Sequence, residues 1–163
     1  MEQIKILDNF LTKEEFTNLT DIVFSCSFPY YLQKKINTNQ NDSDLNCYFT
    51  HTLYSTNCIN SEYYKFFIPL FNKIGIKSLI RAKINFYPRT EKILIHAPHI
   101  DYDFKHKGLI LYFNTCNGFT ILEKENKIET ISNRALFFDP SVEHSSTSCT
   151  DEIGRFNINI NYF

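Results

Sequence analysis

Two histidines and one aspartate in this 163-residue chain are of the residue types that bind transition metals. His99 and Asp101 lie two positions apart, so on a regular strand both side chains would point to the same side. His144 follows an apolar run and a turn, a position that suits the rim of a barrel. Two imidazoles and one carboxylate on one face of an iron ion form the facial triad of non-haem Fe(II) sites. The three residues therefore predict a metal centre with open coordination positions.

A basic residue, Arg155, opens the last strand-like segment. A guanidinium binds a carboxylate through two parallel hydrogen bonds, so Arg155 suits a carboxylate-bearing ligand. Neighbouring antiparallel strands lie about 4.8 Å apart. If the strand that Arg155 opens runs beside the His144 segment, the Arg155 side chain can enter the cavity that holds the predicted metal ligands. The segment alternates in polarity, with Arg155, Asn157, Asn159 and Asn161 on one face and Phe156, Ile158, Ile160 and Tyr162 on the other. We expect the polar face to point into the barrel.

Each of these signals is weak alone. A single His-x-Asp is more often a solvated pair than a metal site, and a single histidine is more often structural. The order of the features favours the metal centre: a strand, His-x-Asp, further strands with close turns, a buried strand, a histidine and then an arginine. We expect His96 and His106 to lie at the surface or beside the ligands, Asp103 to be a candidate substrate contact, and His51 to be an ordinary strand histidine.

The remaining elements predict a mainly β, α+β domain. Thr12 and Glu15 form a capping box that predicts a helix from 13 to about 25, and apolar residues at helical spacing predict a second helix from about 62 to 74. Asn117-Gly118 is a strong turn dipeptide and predicts a hairpin. Short strands are predicted at 4–7, 47–54, 80–87, 92–96, 108–113, 119–122, 127–131, 135–138 and 155–163.

One stretch differs in character. Residues 33–44 are polar and Asn-rich with no apolar period, which predicts a loop. Long polar loops in compact domains are often binding lids, so residues of about 32–60 are a candidate substrate lid. A surface loop with no role in substrate binding is an equal alternative for this stretch.

Composition limits the function classes. Hydrophobic residues make up 43% and aromatic residues 16%, enough for one folded domain. The net charge of −1 gives no basic footprint, so nucleic-acid binding is unlikely, although small patches at 34–35 and 105–107 leave it open. The five cysteines are scattered singly and predict reduced thiols. No stretch approaches the roughly 18 apolar residues of a membrane span, so we expect a soluble cytoplasmic protein with no membrane partner.

The stretch from His99 to Tyr162 resembles the double-stranded β-helix, a jelly-roll or cupin-like barrel, of the Fe(II)/2-oxoglutarate oxygenases. It is most similar to small phage and viral versions near the prolyl-hydroxylase-like members. The supporting runs are residues 81–89, 112–118 and 133–140, and residues 8–11 followed by a helix fit the family's opening. The resemblance implies one oxygenase domain over 1–163, with a catalytic core of about 78–163 and the N-terminal helices packed on one sheet.

The resemblance also implies an activity and its ligands. His99, Asp101 and His144 would bind Fe(II), and Arg155 would bind the distal carboxylate of 2-oxoglutarate. With O₂ as the other co-substrate, such an enzyme hydroxylates a C–H bond and releases succinate and CO₂. A protein side chain such as proline is the substrate that the resemblance favours, while nucleobases and small molecules stay open. In a virus, the location would be the host cytoplasm.

Three more residues are candidates for holding 2-oxoglutarate. Tyr87 stands where the family often has a co-substrate tyrosine, although packing at a strand edge is an equal alternative. Asn157 stands where a small hydroxyl residue is common, and its amide can donate a hydrogen bond. Asn85 shares a face with Tyr87. Candidates for apolar walls are Tyr112, Phe137 and Phe138.

Two other function classes stay open from the sequence. A β-barrel can persist as a non-catalytic binding or structural module, because a fold does not fix a function. A cupin-type metalloenzyme that uses no 2-oxoglutarate is the second alternative. That family usually has His-x-His and a later glutamate, whereas this chain has His-x-Asp and an arginine.

Overall fold

The computed structural model describes residues 4–34, 47–123 and 125–163. Its helices are α1 (Lys13–Val23) and α2 (Tyr64–Ile74). Its strands are β1 (Lys5–Leu7), β2 (Tyr31–Gln33), β3 (Tyr48–Ser55), β4 (Cys58–Ile59), β5 (Leu79–Pro88), β6 (Lys107–Tyr112), β7 (Cys116–Leu122), β8 (Asn126–Thr130), β9 (Ala135–Phe138), β10 (His144–Ser146) and β11 (Gly154–Tyr162). Within the described ranges, no helix is long and apolar enough to span a membrane.

The strands form two antiparallel sheets. The major sheet has the order β1-β9-β6-β11-β5-β3-β2, with β4 paired to β3, and the minor sheet has the order β10-β7-β8. The central strand β11 pairs with β5 on one side and with β6 on the other. All nine residues of β11 are buried, so both of its faces lie inside the protein. This mainly β architecture with two helices confirms the predicted fold class.

Both helices cover the outer face of the major sheet. The Thr12 hydroxyl accepts a hydrogen bond from the Glu15 backbone N–H at 3.2 Å, and the Glu15 carboxylate accepts one from the Thr12 N–H at 2.8 Å. The capping box therefore begins α1 as the sequence predicts, and Gly75 ends α2 with a left-handed backbone at φ 76°. The apolar core between helices and sheet includes Leu19, Val23, Phe67, Leu70, Ala82, Ile84, Leu109, Leu111, Phe156, Ile158 and Ile160.

The polar faces of β5 and β11 point the other way, towards the minor sheet. Their side chains lie opposite one another in register, as Arg155↔Tyr87, Asn157↔Asn85, Asn159↔Lys83 and Asn161↔Arg81. A smaller apolar cluster fills the rest of the space between the sheets, formed by Ile110, Tyr112, Leu122, Ile128, Leu136 and Phe138. The prediction that the polar face of the last strand points inward is confirmed.

Two local predictions are wrong. Asn117 and Gly118 do not form a turn: they lie inside β7, at an irregularity between Cys116 and Phe119. A Cβ on Gly118 would lie 2.5 Å from the Ser148 carbonyl oxygen, so glycine serves a close backbone approach here rather than a turn. β6 and β7 belong to different sheets and form no hairpin. Residues 92–96 make one isolated bridge, Ile95↔Thr147, instead of a strand.

The candidate lid is described only in part. Residues 35–46, which include most of the predicted polar loop, lie outside the described residues. On either side of them, β2 and β3 pair with each other at the edge of the major sheet. His51 lies on β3 as predicted, buried between the Pro29 carbonyl and the Ser61 hydroxyl at 2.7 Å from each. Its contacts are those of a structural histidine.

Candidate functional site

The two histidines of the predicted triad are direct neighbours in space. His99 and His144 form an isolated antiparallel bridge, with reciprocal backbone N–H···O hydrogen bonds of 3.0 and 2.9 Å. This bridge brings the two imidazole centroids to 4.5 Å. The Nδ1 of His144 lies 3.0 Å from the Val142 carbonyl, which can only accept, so Nδ1 carries the proton. The Nε2 atom of His144 therefore keeps its lone pair for a metal ion.

Asp101 completes the group. One ligand atom from each of His99, Asp101 and His144 lies within 4.8 Å of the others. The Arg81 guanidinium donates a 2.7 Å hydrogen bond to Asp101 Oδ1, and the Asn159 amide donates one of 3.3 Å to Oδ2. Although burial opposes ionisation, the charge of Arg81 and its hydrogen bond hold the pKa of Asp101 well below its usual value. Asp101 is therefore an ionised carboxylate held in a fixed position.

The donor set fits a divalent transition metal. Burial and the neighbouring His144 lower the pKa of His99 to about 4, so this imidazole is neutral near pH 7 and free to bind a cation. Two imidazoles with one ionised carboxylate make up the two-histidine, one-carboxylate set of non-haem iron sites. The structure thus brings together all three residues that the sequence predicts as ligands.

Arg155 lies at the closed end of the same cavity. Its side chain is only 1% exposed and crosses to the minor sheet, where Nε donates to Thr130 Oγ1 at 2.7 Å and Nη2 donates to Thr120 Oγ1 at 2.6 Å. Its Cζ lies 5.6 Å and 5.3 Å from the ring centroids of Tyr87 and Tyr112. Nη1 is also buried, and it has no hydrogen-bond partner among the described residues.

An unpaired donor on a buried guanidinium points to a missing acceptor. Leaving such a group unsatisfied costs about 1–3 kcal/mol or more, so a native structure normally provides it with a partner. A ligand carboxylate is the partner that a guanidinium matches best. The fixed Nε and Nη2 bonds leave Nη1 as the donor for that carboxylate.

The other candidates for 2-oxoglutarate contacts line this cavity too. Tyr87, Asn85 and Asn157 share it with His99, His144 and Arg155. The Asn85 amide donates to Asn157 Oδ1 at 3.0 Å, while Asn85 Oδ1 is buried without a partner in the described part of the chain. Burial raises the pKa of Tyr87, so its phenol stays protonated and can donate a hydrogen bond.

The predicted apolar walls are only partly right. Phe138 packs edge-on against His144, with 5.2 Å between the ring centroids, and Tyr112 lies beneath Arg155. Phe137 instead packs on the helix side of the major sheet, 5.7 Å from Phe10. Successive residues of a strand point to opposite faces, so Phe137 and Phe138 cannot both line one cavity.

Sequence reasoning missed four polar residues that hold the site together. Arg81 and Asn159 hold Asp101 in place. The sequence contained a signal for both, because they lie on the same alternating polar strand faces as Asn85 and Asn157. Thr120 and Thr130 hold Arg155 from the minor sheet, and nothing in their local sequence marks them. His106 is buried, and its Nε2 atom lies within hydrogen-bond distance, 3.0 Å, of Asn161 Oδ1. Asp103 is exposed.

Of the two positions predicted for His96, at the surface or beside the ligands, the surface is wrong, because His96 is buried. Its burial makes the stability of the protein depend on pH. Its ring stacks 5.3 Å from that of Tyr87, and its Nδ1 lies 2.8 Å from the Ser146 hydroxyl. Burial, with the charge of Arg155, lowers the pKa of His96 to about 3. In the unfolded chain the value returns to about 6.5. Neutral His96 therefore makes its full contribution to the free energy of unfolding above about pH 6.5. This contribution is lost as the pH falls towards 3, by up to ~1.4 kcal/mol per pH unit.

We therefore expect His96→Gln, which cannot titrate, to lose less stability than the wild type between pH 7 and pH 5. Urea unfolding at both values measures the difference. The variant should keep part of the dependence, because burial also lowers the pKa of His51 and His99. An identical loss in both proteins would mean that folding does not lower the pKa of His96.

Comparison with known proteins supports the fold. No model of a known protein family and no curated protein sequence matches this chain. Among solved structures, the chain is similar to a prolyl hydroxylase from Trichoplax adhaerens in complex with a hypoxia-inducible-factor oxygen degradation domain peptide. The two share 18% identity with a TM-score of 0.68 over 98% of this chain and 83% of the other.

Two bacterial structures are similar as well. An oxidoreductase of the 2OG-Fe(II) oxygenase family from Burkholderia pseudomallei has a TM-score of 0.72 at 8% identity, covering 98% of this chain and 84% of the other. A prolyl-4-hydroxylase from Pseudomonas putida has a TM-score of 0.58 at 9% identity, covering 98% and 91%. At sequence identities this low, the structural similarity establishes the fold only. The chain therefore has the double-stranded β-helix fold of the 2OG-Fe(II) oxygenases and prolyl hydroxylases.

Proposed function

We propose that this chain is an Fe(II)- and 2-oxoglutarate-dependent dioxygenase that hydroxylates a protein side chain such as proline. The observation that carries the proposal is the pairing of two features in one cavity. His99, Asp101 and His144 bring their ligand atoms within 4.8 Å of one another, and the buried Arg155 has an unpaired Nη1. Metal and carboxylate sites together are what a 2-oxoglutarate oxygenase requires.

In this proposal each residue has a distinct task. His99, Asp101 and His144 hold Fe(II), and Arg155 neutralises the distal carboxylate of 2-oxoglutarate. When bound, Fe(II), 2-oxoglutarate and O₂ supply the oxidising chemistry that converts a C–H bond to an alcohol and releases succinate and CO₂. Tyr87, Asn85 and Asn157 lie where they can hydrogen-bond the co-substrate, a role supported by their shared cavity with Arg155.

The surrounding residues position the ligands. Arg81 and Asn159 hold the two oxygens of Asp101 in place, which fixes the carboxylate before any metal binds. The Val142 carbonyl fixes the tautomer of His144. Arg155, Asn157 and Asn159 of β11 line the cavity and are buried, which would limit the access of water to its β11 side. Preorganised ligands and exclusion of water are the protein's part in such a reaction.

The donor set separates this proposal from a cupin-type enzyme. His-x-Asp supplies a carboxylate in place of the second histidine of His-x-His, and the buried Arg155 has no role in a metal site that uses no carboxylate co-substrate. A purely structural barrel gives no reason to bury an arginine with a free donor, because such burial is costly.

The proposal extends to the whole chain and its partners. Residues 1–163 would form one oxygenase domain, with the core at about 78–163 and a substrate lid within about 32–60. A peptide substrate is supported by the Trichoplax adhaerens structure, which contains a peptide. A cytoplasmic location, in the host if the gene is viral, agrees with the free state of the cysteines.

The test begins with anaerobic binding. We expect Fe(II) and 2-oxoglutarate together to give a visible metal-to-ligand charge-transfer band, and O₂ then to convert 2-oxoglutarate to succinate. Proline-containing peptides should raise succinate formation, and mass spectrometry should find one added oxygen atom per hydroxylated peptide. Metal binding without a band would favour a cupin-type enzyme. Binding of neither ligand would favour a non-catalytic module.

A further inference from the structure

A second group of metal-binding side chains lies outside the proposed iron site. Cys116 begins β7, and Cys149 and Asp151 lie in the segment between β10 and β11. One ligand atom from each of the three lies within 4.8 Å of the others. Both thiols are free, with Cys116 7% exposed and Cys149 0% exposed. The group shares no residue with His99, Asp101 and His144.

The carboxylate of this group is held in place beside the thiols. Both oxygens of Asp151 accept the Asn117 backbone N–H, at 3.0 and 2.9 Å. The Asn117 side chain donates to the Thr150 hydroxyl at 2.7 Å and accepts from the Thr150 N–H at 2.9 Å. Asn117 therefore clamps the segment that carries Cys149 and Asp151 against β7. This clamp is the structural reason why Asn117 lies in a strand.

Ions can reach the group from outside. Cys116 lines an open groove on the minor sheet, together with Asn117 and Lys127. Asp151 is exposed and presents its side of the group to solvent. The arrangement combines two buried sulfur atoms with one carboxylate that faces water.

We propose that Cys116, Cys149 and Asp151 bind a thiophilic divalent cation of the zinc type. Zinc takes cysteine sulfur and carboxylate oxygen in tetrahedral sites, and a water molecule on the exposed side of Asp151 would complete four ligands. Thiolates select zinc-like cations over Mg²⁺ and Ca²⁺, which prefer sites made of oxygen alone.

Binding requires each thiol to lose its proton. Burial raises the pKa of Cys116, although the Gly118 N–H and the charge of Arg155 oppose the rise, and burial raises the pKa of Cys149 to about 12. The thiols therefore stay protonated without a cation. The cation replaces one proton from each cysteine, and both protons pass to solvent, so affinity increases with pH.

The site lies directly behind the 2-oxoglutarate end of the barrel. Cys116 pairs in register with Thr130, whose hydroxyl accepts from Arg155 Nε. A Cβ on Gly118 would lie 2.9 Å from Arg155 Cδ, which shows how closely β7 packs on that side chain. A cation that joins Cys116 to Cys149 would therefore brace the part of the minor sheet that supports Arg155.

The test uses Cd²⁺ or Co²⁺ alone, because their thiolate complexes give sulfur-to-metal charge-transfer bands. The background is His99→Ala, which removes a ligand of the iron triad but none of this site. We expect a thiolate band at one ion per chain, displaced by Zn²⁺. Cys116→Ser and Cys149→Ser should each abolish the two-thiolate band, and Asp151→Asn should weaken affinity by at least about 10-fold.

Matched controls separate this site from other thiols and from the proposed function. Cys26→Ser and Cys58→Ser alter exposed cysteines and should leave the band unchanged. Asp151→Asn keeps an oxygen for the Asn117 N–H, so it tests the site even if a buried serine prevents folding. A His99→Ala chain without a thiolate band, or a band that survives Cys116→Ser in that background, would overturn the proposal. The Fe(II)–2-oxoglutarate band in wild-type protein reports separately on the oxygenase.

Discussion

Arg155→Ala is expected to weaken 2-oxoglutarate binding by at least about 30-fold, because removing one partner of a buried, hydrogen-bonded charge pair costs about 2–5 kcal/mol. Arg155 Nη1 is a buried donor with no hydrogen-bond partner in the described structure, and Arg155 lines the same cavity as His99 and His144. Isothermal titration of 2-oxoglutarate into anaerobic, metal-loaded protein measures the change. Metal affinity, titrated without 2-oxoglutarate, should stay within a few-fold of the wild type.

Two variants make this prediction specific. Arg155→Lys keeps the positive charge but loses the forked donor geometry, so its affinity should fall between those of the wild type and the alanine variant. Arg89→Ala removes an exposed arginine and should bind 2-oxoglutarate normally. Since Arg155 also donates to Thr120 and Thr130, circular dichroism must show that each variant is folded. Unchanged affinity in a folded Arg155→Ala protein would remove Arg155 from the co-substrate site.

Asp101→Asn is expected to lower Fe(II) affinity by more than about 100-fold, since even changes to groups that only support metal ligands cost about 10–100-fold. The amide keeps the shape of the side chain but loses the charge that Arg81 and the metal both require. The anaerobic charge-transfer band with 2-oxoglutarate should vanish, and a direct metal titration should show the lost affinity.

The neighbouring aspartate provides the control. Asp103 has the same chemistry two positions further on but is exposed, so Asp103→Asn should bind Fe(II) as the wild type does. Asp101→Asn should also lower the free energy of unfolding without metal, because the half-buried Arg81 loses its ion-pair partner. Equal metal affinity in the two variants would contradict the proposed triad. Loss of metal binding in Asp103→Asn alone would move the ligand to that position.

Sequence patterns predicted the local structure correctly where all the interactions that decide it lie within a short stretch of the chain. The capping box lies within four residues and begins α1 where predicted. The alternation of Arg155 to Tyr162 separates the two faces of β11, because successive side chains of a strand point in opposite directions. His99 and Asp101 also come together, with His99 Nε2 3.9 Å from Asp101 Oδ1, although both lie outside the strands and His99 makes only an isolated bridge.

Predictions failed where a distant segment decides the conformation. Asn117-Gly118 has the composition of a turn, yet its contacts with Ser148, Thr150 and Asp151 hold it in a strand. Those contacts span 30 to 34 positions of sequence, so no local signal carries them. The small phage or viral type that the resemblance suggests stays a prediction.

By itself, the sequence determined which residue types are available for chemistry, the period of each strand and the fold class. Only the tertiary structure decided which of these residues meet. The His99–His144 bridge, the Arg81–Asp101 ion pair and the threonines around Arg155 all join segments from separate parts of the chain. So does the group of Cys116, Cys149 and Asp151. The physical reason is that sheet pairing depends on long-range hydrogen bonds and shared burial, which local periodicity does not specify.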